Sequence, residues 1–267
     1  MTEERAQGPG ERTDETVVEE PLPRQRRHTL FFLEVIRDFS PVFLDTEVDM
    51  TGVLAHRAAA VERAGTRFST TSYVLRAAGR VLAKHPEANA AVQGGPRRPR
   101  IARYPFVNGK VALDSTLEGR RVVLGTVVPN VQDAELEAIQ AHLDRVRQGD
   151  PERLADFEGI RRLHRLSWLE GRKQFRQAAQ SLALRPHLTG TFAVTSLGHR
   201  AVDSFQSVGG TTTTFGVGRI LDRPVVRDGV VTAAPVMRLS LSFDHRVIDG
   251  AEAADVLTEV KEALESV

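Results

Sequence analysis

The stretch from Met237 to Gly250 constrains this chain more than any other. Met237, Leu239, Leu241 and Phe243 alternate with Arg238, Ser240 and Ser242, the period of a strand with one buried face. The run ends in Asp244-His245-Arg246-Val247-Ile248-Asp249-Gly250. There Asp-Gly breaks the alternation, and Ala251 to Ser266 places Val256, Val260 and Leu264 at helical spacing. Glu252 and Asp255 fall in the first turns of that helix, where the dipole favours anions. Strand, turn and helix thus hold His245 just beyond a strand end. An imidazole, with an ordinary pKa near ~6.5, is mostly neutral at pH 7 and can take a proton from a thiol or hydroxyl attacking a carbonyl. Asp249, four residues on, can orient or support it. Taken alone, a histidine beside an Asp-Gly turn is more often structural than catalytic.

The rest of the chain alternates helices and strands. Asp49 or Thr51 can cap a helix carrying Val53, Leu54 and Val61, and Ser69 a second carrying Val74, Leu75, Ala78, Val81 and Leu82. Asn108-Gly109 and Leu117-Glu118-Gly119 punctuate a meander of strands from about 100 to 128. A third helix follows Asp133 with Leu136, Ile139, Leu143 and Val146 on one face. Asp228-Gly229 turns a hairpin that feeds the strand ending at His245.

Composition bounds the function classes. With 267 residues, 41% of them hydrophobic, the chain can bury a sizeable core. A net charge of +1 gives no broad attraction to nucleic acid. The absence of cysteine excludes disulfides, thiolate metal ligands and a cysteine nucleophile, and no metal site is expected. No apolar run approaches a membrane span of roughly 20 residues, so a cytoplasmic protein without membrane contact is expected.

The Asp-His-Arg-Val-Ile-Asp-Gly run resembles the signature of the catalytic domain of 2-oxo-acid dehydrogenase dihydrolipoyl acyltransferases, a domain similar in fold to chloramphenicol acetyltransferase. Further segments match in the same order: Val42 to Met50, His85-Pro86-Glu87-Ala88-Asn89-Ala90, Gly190-Thr191-Phe192-Ala193-Val194-Thr195-Ser196-Leu197-Gly198 and Phe215 to Ile220. Together they cover about residues 40 to 267. The resemblance implies an α/β two-layer sandwich, a mixed sheet with helices on one face. It implies His245 as general base and a Ser or Thr before the Leu-Gly turn as hydrogen-bond donor to the tetrahedral oxyanion. Thr195 is the matching position, and strand alternation places it opposite Phe192, Val194 and Ser196. Asp249 is read as supporting the turn and the histidine. A homotrimer or a multiple of trimers is implied, with His245 of one subunit facing Thr195 of the next. A coenzyme A thioester is the implied co-substrate, with no covalently bound cofactor.

Three segments depart from the resemblance. Residues 1–27, rich in Glu, Arg, Thr and Pro, read as a flexible tail before a catalytic domain at 28–267, and they leave no room for lipoyl or subunit-binding domains. An inserted segment at about 155–188 interleaves Arg161, Arg162, His164, Arg165, Arg172, Lys173, Arg176 and Arg185 with Leu163, Leu166, Trp168, Leu169, Phe175 and Leu182. It reads either as a surface helix packed through its apolar side or as a lid or cationic surface for coenzyme A phosphates or an acidic acyl-carrier protein. At 205–214, Gly209-Gly210 and four threonines replace an apolar, proline-containing stretch. If that loop lines the acceptor pocket, its hydroxyls point to a polar acceptor.

These departures favour a freestanding acyltransferase. It would move an acyl group, acetyl in the first instance, from acyl-CoA to the hydroxyl of a small molecule, as in relatives that acetylate tetronate-type polyketides in antibiotic biosynthesis. Two other readings are a minimal dihydrolipoyl acyltransferase core served by a lipoyl domain on another chain, and a non-catalytic scaffold subunit.

Overall fold

The computed structural model describes residues 17, 19–94 and 97–267. Residues 1–16 and 18 of the expected tail lie outside the described residues. Just after them, Arg24–Arg26 form a 3-10 turn whose Arg24 pairs with Glu118 at 3.0 Å. The helices are α1 (Arg27–Ile36), α2 (Thr51–Ala64), α3 (Thr70–Leu82), α4 (Leu136–Gln148), α5 (Glu158–Arg165), α6 (Trp168–Gln180), α7 (Arg185–Leu188) and α8 (Gly250–Glu265). The strands are β1 (Pro41–Asp49), β2 (Ala90–Gln93), β3 (Arg100–Arg103), β4 (Gly109–Leu117), β5 (Arg120–Val128), β6 (Phe192–Ser196), β7 (Thr213–Arg227) and β8 (Val230–Asp244).

Six strands form one mixed sheet in the order β1-β8-β7-β6-β4-β5. The β4–β6 and β6–β7 pairs are parallel and the others antiparallel. One face carries Phe192, Val194, Phe215, Val217, Leu239, Leu241 and Phe243. All are buried in one cluster with Val53, Val74, Leu75, Leu82, Val256, Val260 and Leu264 from α2, α3 and α8. Each such side chain contributes about 1.5–3 kcal/mol of burial. That layer is why strand and helix periodicities are so clear in the sequence.

Turn chemistry fixes the hairpins. Asp228 and Gly229 take φ of 50° and 78°, and Glu118 and Gly119 take 48° and 73°, the left-handed pairs that two-residue hairpins require. Asn108-Gly109 is not a turn. Gly109 begins β4, and a Cβ there would lie 2.7 Å from Leu75 Cδ2 and 3.0 Å from Phe192 Cζ, so packing rather than turning demands the glycine. β3 does not continue the meander either, because it pairs with β2 in a separate ribbon. Val61 was expected on the buried side of α2; it is exposed, and Val53 and Ala60 face the core.

The inserted segment folds as α5, α6 and α7, and its apolar side packs on α1. Trp168 meets Phe31 edge-on with ring centroids 4.9 Å apart, and Phe175 lies 6.0 Å from the same ring. Arg172 Nε donates to Glu34 at 2.7 Å, and Arg161 donates to the carbonyls of Pro151 and Leu154 at 2.8 Å each. Several of its cations are thereby engaged inside the fold.

Candidate active site

His245 stands immediately past the carboxyl end of β8, with its side chain 45% exposed. Its backbone is tied down before the ring is considered: His245 N–H donates to Ser40 O at 2.9 Å, and Asp244 N–H donates to Thr212 O at 2.9 Å. Asp244 is 2% exposed, and its carboxylate accepts from Arg246 Nε at 2.9 Å, Arg246 Nη2 at 2.6 Å and Ser40 N at 3.3 Å. The first and third residues of the motif thus lock the turn around the second.

Asp249 is the N-cap residue of α8, and its side chain makes no capping hydrogen bond. Its Oδ1 lies 3.3 Å from His245 Nδ1 instead. The contact is an ion-pair distance on the Nδ1 side of the ring, with the Asp249 side chain 89% exposed.

Thr195 lies in β6, opposite Gly216 of β7, which in turn faces Ser240 of β8. Phe192 and Val194 are buried in the helix-covered face, so Thr195 belongs to the other face with Ala193 and with Lys110, the β4 partner of Ala193. Ser196 shares the apolar side and is set apart from Thr195, as the alternation requires. Gly216 keeps the ground beside Thr195 low: a Cβ there would lie 2.5 Å from Phe205 O and closer still to Ser240 Oγ.

One chain does not bring Thr195 and His245 together. From Ser240 to His245 is five residues along β8, and two strand spacings separate β6 from β8, so the two side chains stand about 20 Å apart. His245 and Asp249 are adjacent, and Thr195 is not part of that pair within the subunit.

Residues 160–267 match the family described as 2-oxoacid dehydrogenases acyltransferase (catalytic domain). That stretch carries the site-bearing end of the sheet, β6 to β8, and α8. Over 228 residues it is 28% identical to the dihydrolipoyllysine-residue acetyltransferase component of the pyruvate dehydrogenase complex of Bacillus subtilis (strain 168), covering 84% of this chain and 44% of that protein. The chain spans about half the length of the curated relatives it matches. Its fold superposes on the cubic core of the pyruvate dehydrogenase multienzyme complex with a TM-score of 0.71 at 21% identity, over 97% of each chain. It also superposes on chloramphenicol acetyltransferase with a TM-score of 0.50 at 15% identity, over 93% of this chain and 99% of the other. The acyltransferase-type α/β architecture read from the sequence is the one observed.

In this chain the threonine-rich loop is not the polar lining expected. Thr211, Thr212, Thr213 and Thr214 are each at most 3% exposed. Thr211 donates to Thr213 O, Thr212 donates to Ala90 O, and Thr214 accepts from Gly209 N–H. The hydroxyls of Thr211 and Thr214 hold the loop's own backbone, and that of Thr212 ties it to β2. The sequence reading missed the Phe39-Ser40 segment, whose carbonyl anchors His245. The only local signal was its place just before β1, the strand that pairs with β8.

Proposed function

We propose that the protein is the catalytic core of a dihydrolipoyl acyltransferase, moving an acyl group, acetyl in the first instance, between coenzyme A and a dihydrolipoyl group carried on another chain. The observation that carries this reading is His245: half-exposed at a strand end, Nδ1 on Asp249, in a chain whose residues 160–267 match the acyltransferase catalytic domain. The relatives named for dihydrolipoyllysine acetyl transfer favour a lipoyl thiol over a polyketide hydroxyl, and the inward turn of the loop threonines removes the reason for preferring the hydroxyl.

In this mechanism His245 Nε2 takes the proton of the attacking thiol as its sulfur adds to the thioester carbonyl. The oxyanion accepts a hydrogen bond from Thr195, and its collapse expels the other thiolate, which takes the proton back from His245. Asp249 supports the ring from its Nδ1 side. Because a single chain leaves Thr195 about 20 Å from His245, the working unit is a trimer in which a neighbour supplies the threonine. A cytoplasmic location fits these substrates.

The test is acetyl transfer from acetyl-CoA to dihydrolipoamide, followed as S-acetyldihydrolipoamide. His245→Ala should lower kcat by about 10²–10⁴-fold. Thr195→Ala should lower it by about 10²–10³-fold, the worth of one oxyanion donor. Faster turnover with a tetronate hydroxymethyl compound than with dihydrolipoamide would overturn the choice of acceptor.

A further inference from the structure

The inserted segment and the Gly-Thr loop meet at one buried side chain, Arg185. It opens α7, is 9% exposed, and has no carboxylate within salt-bridge distance among the described residues. Burying a guanidinium without a paired anion is costly, and burial does depress the Arg185 pKa. What it touches accounts for its retention. Nη2 donates to Gly210 O at 2.7 Å, and Cζ lies 5.6 Å from the centroid of the Phe39 ring, within cation–π range. Arg246 Cζ lies 5.0 Å from the same ring. Beside it, Lys110 Nζ donates to Gly209 O at 3.2 Å and sits 4.8 Å from the Phe32 ring centroid, so two cations pin adjacent carbonyls of the loop.

Both segments that Arg185 grips are those that hold the His245 backbone. Phe39 precedes Ser40, whose carbonyl accepts His245 N–H and whose N–H donates to Asp244. Gly210 lies two residues before Thr212, whose carbonyl accepts Asp244 N–H. A strand end tied on two sides can place an imidazole accurately only if both ties are themselves fixed.

We infer that Arg185 is a positioning residue for His245, locking the 39–40 and 210–212 segments against the Asp-His-Arg turn. The inference rests on His245 being the base in acyl transfer. Methionine at 185 fills similar space without a charge, so it removes the grip while relieving the buried charge. A misplacement of about 1 Å costs on the order of 100-fold in rate.

Arg185→Met should therefore melt at or above the wild-type temperature and keep its KM for acetyl-CoA, with kcat lowered about 10- to 100-fold. Amide hydrogen exchange should quicken together at 37–40, 209–213 and 243–247. Arg185→Lys, which can still donate to Gly210 O, should recover part of the loss. A kcat within about twofold of wild type, an activity loss that merely tracks a lowered melting temperature, or faster exchange confined to α7 would each overturn the inference. Should Arg185→Met fail to fold, Phe39→Leu leaves the bond to Gly210 in place; a lowered kcat at constant KM there supports the inference and an unchanged kcat overturns it. If exchange quickens as expected while wild-type protein transfers no acetyl group, the locking of the turn by Arg185 stands, and its catalytic consequence falls with the acyltransferase reading.

Discussion

An N-cap carboxylate ordinarily accepts from an amide two or three residues into its helix. Asp249 forgoes that bond and faces His245, so the helix start is secured elsewhere. One such place is His85, whose Nδ1 meets Glu252 at 2.9 Å and whose Nε2 meets Glu259 at 3.0 Å, tying the segment just past α3 to the first and third turns of α8. Burial opposes protonation of His85, but the hydrogen bonds and charges of both glutamates outweigh it and raise the pKa above the ordinary value. A raised folded-state pKa means stability that is fully present below about pH 6.5 and lost as pH rises through the raised value. His85→Gln should therefore destabilise by about 1 kcal/mol at pH 6 and by less at pH 9, read by urea denaturation at both. An equal loss at the two pH values would show that His85 is not charged in the native state.

At the scale of elements, the insertion and α1 are clasped by a pair of histidines 136 residues apart. His28 Nε2 is 3.0 Å from Val123 O, a carbonyl that can only accept, so Nε2 carries the proton there. Nδ1 is then the acceptor for His164 Nε2–H, also at 3.0 Å, and buried His164 Nδ1 is left with no partner. A further proton would have nowhere to bond. Burial first, then nearby positive charge, lowers His28, and burial followed by the His28 charge lowers His164 to about 4. The surrounding charges are Arg24, Arg26, Arg27, Lys110 and Glu118; of these Glu118 acts the other way, as do the backbone hydrogen bonds of Val123 and Gln25 to His28, and burial outweighs them. Depressed histidine values mean that the unfolded chain binds protons first, so this clasp loses stability as pH falls from about 6.5 towards 4. Trp168, the single tryptophan, packs on Phe31 in the same clasp and reports it. Its emission should shift to the red over that range ahead of the loss of far-ultraviolet circular dichroism, and His164→Gln should remove the shift. Constant emission from pH 7 to 4.5 would rule the clasp out as an acid-sensitive element. None of this was legible in the sequence, because a contact between His28 and His164 leaves no periodic trace. What was legible had local causes: the β8 alternation, the Asp228-Gly229 turn and the Ser69 cap, whose side chain accepts from Ser72 N–H. Gly109 misled for the converse reason, a local turn signal serving a distant packing need.

At the scale of the whole molecule, the sheet separates the parts of the proposed site. Phe192, Thr213 and Phe243 lie level across β6, β7 and β8, so His245 projects beyond the amino end of β6 while Thr195 lies towards its carboxyl end. No side-chain rotation closes about 20 Å along a hydrogen-bonded ladder. Local motion within one subunit therefore cannot assemble the pair, whereas a cyclic trimer can present each His245 to the next subunit's Thr195. Complementation decides between these. His245→Ala and Thr195→Ala proteins, each inactive alone, are unfolded together, refolded as a mixture and assayed. If sites form between subunits, a site is intact when its histidine and its threonine each come from the subunit that retains them, which random assembly gives in about a quarter of sites. Activity near that fraction of wild type, in particles that light scattering shows to be trimers or multiples of trimers, is the expected result. If the mixture is no more active than its parents, the site lies within one chain and Thr195 is not the oxyanion donor.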